Sequence, residues 1–204
     1  MSDADLTDPE PSDTDLREAA QTALTQCLDL GNDETCLVVT DDKRERIGET
    51  LYAEASEITD DPVIVRYPPG PQHGAEPPEP VAAALETADV FLAPTIKSIS
   101  HTRARGDACE AGARGATLPG ITESVFVTGL HAAYEAIADH SEALPEPVEN
   151  HDEIRVTSAQ GTDSTATTAH RESAPNPGPG SDTGRAHNHP AGRVQPSRRK
   201  QRAP

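Results

Sequence analysis

The sequence predicts an α/β fold, a Rossmann-like parallel sheet with flanking helices, on three observations. Four short apolar runs recur along the first 120 residues: CLVVT at 36–40, VIVRY at 63–67, VFLAP at 90–94 and RGATL at 114–118. Segments of helical period separate them, the spacing of βαβ crossovers. The runs are continuous rather than alternating, so each needs cover on both faces, as in a doubly wound sheet.

Each element has its own warrant. MSDADLTDPEPSDT, residues 1–14, is acidic and proline-broken and reads as a disordered leader. Leu16, Ala20, Ala23, Cys27 and Leu28 then fall at helical spacing, with Gly31-Asn32 as the stop. After the first strand, Asp41 and Asp42 are placed to cap a helix with Ile47, Leu51, Ala55 and Ile58 on one face. The loop PPGPQHGAEPPEP at 68–80 leads into the short helix VAAALETA before the third strand. Ser100 is placed to cap a helix from about His101 to Gly112, which leads into the fourth strand. TESVFVTGL and HAAYEAIADHSEAL read as two more helices, PEPVEN at 145–150 as a linker, and EIRVTS at 153–158 as a strand opening something new.

This divides the chain into a leader (1–14), an α/β domain (15–150), the start of a second domain (151–163) and a disordered tail (164–204). Charge divides at the same place. Residues 1–163 hold 33 Asp and Glu against 10 Lys and Arg, and residues 164–204 hold 2 against 7. The acids are scattered rather than blocked, and only Lys43 and Lys97 precede the tail, a composition adapted to high internal salt. Cys27, Cys36 and Cys109 show no CxxC spacing and read as reduced thiols in a cytoplasmic protein. No stretch approaches the roughly 20 apolar residues of a membrane span, and no apolar signal segment opens the chain.

The tail contains no Ile, Leu, Met, Phe, Trp, Tyr or Cys in its 41 residues. Such a segment cannot bury enough surface to offset the entropy of ordering it. Two readings of it stand. One is a natural flexible tail with a small basic patch at Arg198, Arg199, Lys200 and Arg202. Without aromatics, that patch predicts no nucleic-acid partner. The other is out-of-frame translation of GC-rich DNA, which yields this mixture of residues.

PTIKSISHTRAR at 94–105, with EAGARGATLPGITE at 110–123, resembles the amino-terminal domain of the leucyl aminopeptidase or aminopeptidase T metallopeptidases. That grouping also takes in relatives of dihydroxypyridine dioxygenase. The resemblance covers about residues 14–163. It implies a truncated front half of a hydrolase acting on peptides, with the metal-ligand domain missing and the fragment inactive alone. A complete member would bind Zn, Co or Mn, or Fe in the ring-opening dioxygenase alternative. It also leaves a homo-oligomer open. VQPSRRKQR, read one base later, is compatible with Ser-Asn-Leu-Pro-Ala-Gly, a run similar to one early in the family's second domain.

No residue is assigned a catalytic or metal-binding role. The candidate ligand or interdomain loop is Thr95, Lys97, Ser98, Ser100 and His101, which follows the third strand and opens a helix. Ligands of open parallel sheets bind beyond the carboxyl ends of strands, where helix amino-termini offer N–H groups to anions. The competing reading makes Ser98 and Ser100 helix caps, with Lys97, Arg103 and Arg105 solvated or paired with acids. His73, His101, His131, His140 and His151 show no metal-ligand spacing, and His187 and His189 form only a weak HxH. There is no GxSxG, GxGxxG or GxxxxGK[ST]. A third reading is therefore a non-catalytic module that binds an anion or a partner.

Overall fold

A computed structural model describes residues 10–130, 151–167, 173–176, 186–188 and 193–196. The chain divides into two compact units, residues 1–132 with 179–190, and 133–178 with 191–204. The expected leader up to residue 9, the helix HAAYEAIADHSEAL, the PEPVEN linker and the basic patch lie outside the described residues.

The first unit is the α/β fold. Helix α1 (Asp13–Thr22) starts with a capping box, in which Ser12 and Asp15 satisfy each other's backbone N–H groups. It runs into a π-helical turn, Ala23–Cys27, that places Leu24 and Cys27 in the core. Asp29, in the left-handed region at φ 48°, ends it two residues before the predicted glycine. Strands β1 (Cys36–Thr40), β2 (Pro62–Arg66), β3 (Val90–Ala93) and β4 (Arg114–Thr117) form a parallel sheet in the order β2-β1-β3-β4. Helices α2 (Glu45–Ala55), α3 (Glu79–Thr87) and α4 (Arg103–Ala111) connect successive strands, and α5 (Glu123–Leu130) follows β4.

The chain moves outward from β1 to β2 and then returns past β1 to β3. With right-handed crossovers this reversal puts α2 and α3 on opposite faces. Accordingly α1 packs on α2 and α5, whereas α3 packs on α4. The α3/α4 face meets Leu37, Val39, Phe91 and Ala93, every second residue of β1 and β3. β1, β3 and β4 are buried throughout, whereas the edge strand β2 is half exposed, with Val63 at 37%.

Two glycines allow close approach. A Cβ on Gly48 of α2 would stand 2.8 Å from the Thr40 side chain, and one on Gly115 of β4 would stand 2.3 Å from the carbonyl oxygen of Phe91.

In the second unit, β5 (Glu153–Thr157) and β6 (Asp163–Thr167) form an antiparallel hairpin, with Ile154 opposite Ala166. Arg155 pairs with both carboxylate oxygens of Asp163 at 2.7 Å. β7 (Ser173–Asn176) pairs antiparallel with β9 (Arg193–Pro196). Between them in sequence, β8 (Ala186–Asn188) belongs to the first unit and pairs parallel with β4. That fifth strand was not foreseen, because strand pairing uses backbone groups and leaves no apolar signature here. Among the described residues no helix is long and apolar enough to cross a membrane.

Candidate functional site

In an open α/β sheet the crevice lies where the strand order reverses, here beyond the carboxyl ends of β1 and β3. The loops after these strands are joined by one carboxylate. Asp41, 1% exposed, accepts the Lys43 N–H at 2.9 Å through Oδ1 and the Ile96 N–H at 2.6 Å through Oδ2. The sequence reading made Asp41 and Asp42 caps of α2. Instead α2 starts from Arg44 without a side-chain cap, and Asp41 turns across the sheet. Thr40 adds a second tie, its Oγ1 donating to the Pro94 carbonyl at 3.2 Å. Half-buried Tyr67, whose N–H meets the Thr40 carbonyl, has its phenol pushed to higher pKa by burial, with the Asp41 charge adding to the effect.

The predicted loop residues fall together here, and their hydroxyls are engaged internally. Thr95 Oγ1 donates to the Lys97 carbonyl at 2.7 Å. Ser98 Oγ donates to Ser100 Oγ at 2.9 Å, and Ser100 Oγ lies 2.8 Å from Thr117 Oγ1 on β4. The cap of α4 is Thr102, not Ser100, and the helix begins at Arg103, not His101. Thr102 was passed over because Ser100 stands equally well before the apolar positions. His101 is exposed, and Arg105 Nε donates to the Ser100 carbonyl at 3.0 Å.

The amino-terminus of α4, the expected anion site, already holds a carboxylate of the chain itself. Glu76 accepts the Arg103 N–H at 2.7 Å and the Ala104 N–H at 3.2 Å. These two donors, with a smaller contribution from the Arg103 charge, hold its carboxyl below the usual range. Glu76 arrives on the proline-rich loop, which is latched at two more points. Ser98 N–H donates to His73 Nδ1 at 3.1 Å, and Gly74 N–H donates to the Ser98 carbonyl at 2.8 Å. Sequence reasoning missed His73 and Glu76 as partners of this loop. The one available signal was the compact run of prolines ending at α3.

On the other side of the crevice, Arg44 bridges the loops after β1 and β4, donating to the Lys43 carbonyl at 2.8 Å and the Gly120 carbonyl at 3.1 Å. A cavity of about 510 Å³ opens there between the starts of α2 and α5, lined by Lys43, Arg46, Ile121 and Glu123 among others. Among the described residues no group of three His, Cys, Asp or Glu side chains is placed to hold a metal ion.

Fold and crevice together define a doubly wound α/β unit whose switch-point loops are cross-tied by buried polar groups. Among solved structures the chain is similar to 2,5-dihydroxypyridine dioxygenase from Pseudomonas putida KT2440, with a TM-score of 0.68 and 15% identity. The match covers 90% of this chain and 56% of that enzyme, so the chain spans little more than half of its length. No family model matches the chain, and no curated protein matches it.

These findings correct the expected aminopeptidase assignment: a solved structure that the chain is similar to is a dioxygenase, and neither the family models nor the curated proteins support a hydrolase or metalloprotease. The physical reason lies in the motif. Thr95, Ser98, Ser100, Thr102 and Thr117 use their hydroxyls to hold the loop, a structural demand that does not single out a hydrolase.

Proposed function

We propose that the α/β unit is the ligand-binding front part of a ring-opening dioxygenase of the dihydroxypyridine class. The observation that carries this reading is the extent of the fold match to 2,5-dihydroxypyridine dioxygenase, together with a crevice at the switch point of the same unit. An iron ion would supply the oxygen chemistry. The described residues do not fit such an ion, since no three potential ligands converge. No step is therefore assigned to iron in this unit, whose contribution is to bind and orient the ring.

The test is calorimetric titration of the 204-residue chain with 2,5-dihydroxypyridine, without iron, at low and at high salt. The reading expects saturable binding of one ligand per chain. Absence of binding at millimolar ligand in both salt conditions overturns it.

A further inference from the structure

The proline-rich segment 68–78, PPGPQHGAEPP, joins Tyr67 at the end of β2 to the start of α3. At its base the Tyr67 N–H donates to the Thr40 carbonyl of β1 at 3.1 Å, and its middle meets Ser98 in the loop after β3. It therefore runs from one wall of the switch-point crevice to the other. Its five prolines stiffen it, and Gly70 and Gly74 are left as the points where it bends, Gly74 at φ 80°. Pro77 is its one buried residue, so apolar packing holds little of it. Polar contacts hold the rest. His73 Nδ1 accepts the Ser98 N–H at 3.1 Å, the Gly74 N–H donates to the Ser98 carbonyl at 2.8 Å, and Glu76 accepts the Arg103 and Ala104 N–H groups. The two side chains in this set are both acceptors and both titratable.

We propose that segment 68–78 is a pH-sensitive strap across the switch-point crevice, latched by neutral His73 and released at that point when the imidazole is protonated. An imidazole nitrogen accepts a hydrogen bond only in the neutral ring, with the proton on the other nitrogen; in the charged ring both nitrogens are donors. Protonated His73 turns an N–H toward the Ser98 N–H and loses its hold. The bond is thus present above the range in which histidine titrates and lost as pH falls through it. Glu76 keeps its grip over that range, because the two N–H groups it holds favour its charged form. Release is therefore staged, the His73 end lifting while the Glu76 end stays seated. The other titratable and charged groups on the adjoining elements are Tyr67, Glu79, Lys97, His101, Arg103 and Arg105. Of these only His101 is of a type that changes charge in the same range. That release admits a ligand rests on the ring-binding reading of the crevice; the latch itself does not.

The experiment is amide hydrogen exchange of the full chain, expressed as protection relative to an unstructured peptide, from about pH 8 to about pH 5. Protection at Ser98 and Gly74 should fall roughly three- to tenfold across that range, while Arg103, Ala104 and Ala108 keep theirs. His73→Asn retains an acceptor oxygen near the position of Nδ1 that does not titrate, so protection should stay high throughout. His73→Ala should be low throughout, and His101→Asn should behave as the unaltered chain. Constant protection at Ser98 and Gly74, the same fall in His73→Asn, high protection in His73→Ala, or loss of the fall in His101→Asn overturns the latch. Equal loss at Arg103 and Ala104 overturns the staged release. Binding of 2,5-dihydroxypyridine by a chain whose exchange ignores pH overturns this proposal alone, and a working latch on a chain that binds no ring overturns the proposed function alone.

Discussion

The Asp41 carboxylate accepts the backbone N–H of Ile96 at 2.6 Å, joining the loops after the two strands between which the sheet reverses. Residue 41 lies 1% exposed, so its charge is offset by the donors it holds and not by water. This side chain ties the crevice together alongside the Thr40–Pro94 bond and the Arg44 bridge to Gly120.

Asp41→Asn replaces an acceptor-only group by one whose NH2 faces one of the two backbone donors. The expected loss is about 1.5–3 kcal/mol of stability, measured by urea unfolding. Amide exchange should accelerate at Lys43 and Ile96 but not at Ala108.

Much of this fold was legible. Strands β1 to β4 each fall within a residue or so of their apolar runs, and for β1, β3 and β4 continuous burial on both faces leaves a signal that neighbouring residues cannot mask, whereas β8 has no such run. The site was legible only as a location. Thr95, Lys97, Ser98 and Ser100 do sit at the carboxyl end of β3, yet Asp41 and Ser100 were read as helix caps, because capping and long-range loop bridging use the same residue types. Glu76 reaches a helix 27 residues away, a contact that no local pattern encodes.

Arg114 and Glu34 form a second buried tie, at the opposite end of the sheet. Both guanidinium nitrogens meet the carboxylate at 2.6 Å, while Nε and Nη2 hold the Leu28 and Asp29 carbonyls at 2.8 Å. Glu34→Gln leaves the Arg114 charge buried with a weaker partner. The expected cost is about 2–3 kcal/mol, below the full value for a buried pair because the Glu34 side chain is a quarter exposed.

The carboxylate cap on α4 carries a pH dependence of known sign. Glu76 is held below the ordinary glutamate range by the Arg103 and Ala104 N–H groups. Its contribution is therefore fully present above that range, about pH 4.3, and is lost as pH falls through the lowered folded value. The amide shifts of Arg103 and Ala104 should titrate together below that pH, and Glu76→Gln should remove the titration.

Cys36, buried in β1, has its thiol pushed up to about 12, chiefly by burial, with the Glu34 charge adding. A raised folded pKa gives stability that is complete below the ordinary thiol range and lost as pH rises toward that value. Native protein at mildly alkaline pH should therefore alkylate at half-buried Cys109 and spare buried Cys27 and Cys36, until denaturant exposes all three.

Gly115→Ala places a methyl group 2.3 Å from the Phe91 carbonyl oxygen and 2.6 Å from its ring, in the middle of the sheet. Neither neighbour is free to move, so the expected loss is about 3 kcal/mol or more. A thermal unfolding midpoint that does not fall would contradict the packing of β3 on β4.

The measurement that tests the account most directly is amide-shift mapping of 2,5-dihydroxypyridine on the nitrogen-15-labelled chain. The account predicts shifts concentrated at Asp41, Lys43, Ile96, Lys97 and Ser98, around the switch point between β1 and β3. Shifts confined to the β5–β6 hairpin, or spread evenly over the chain, would contradict it.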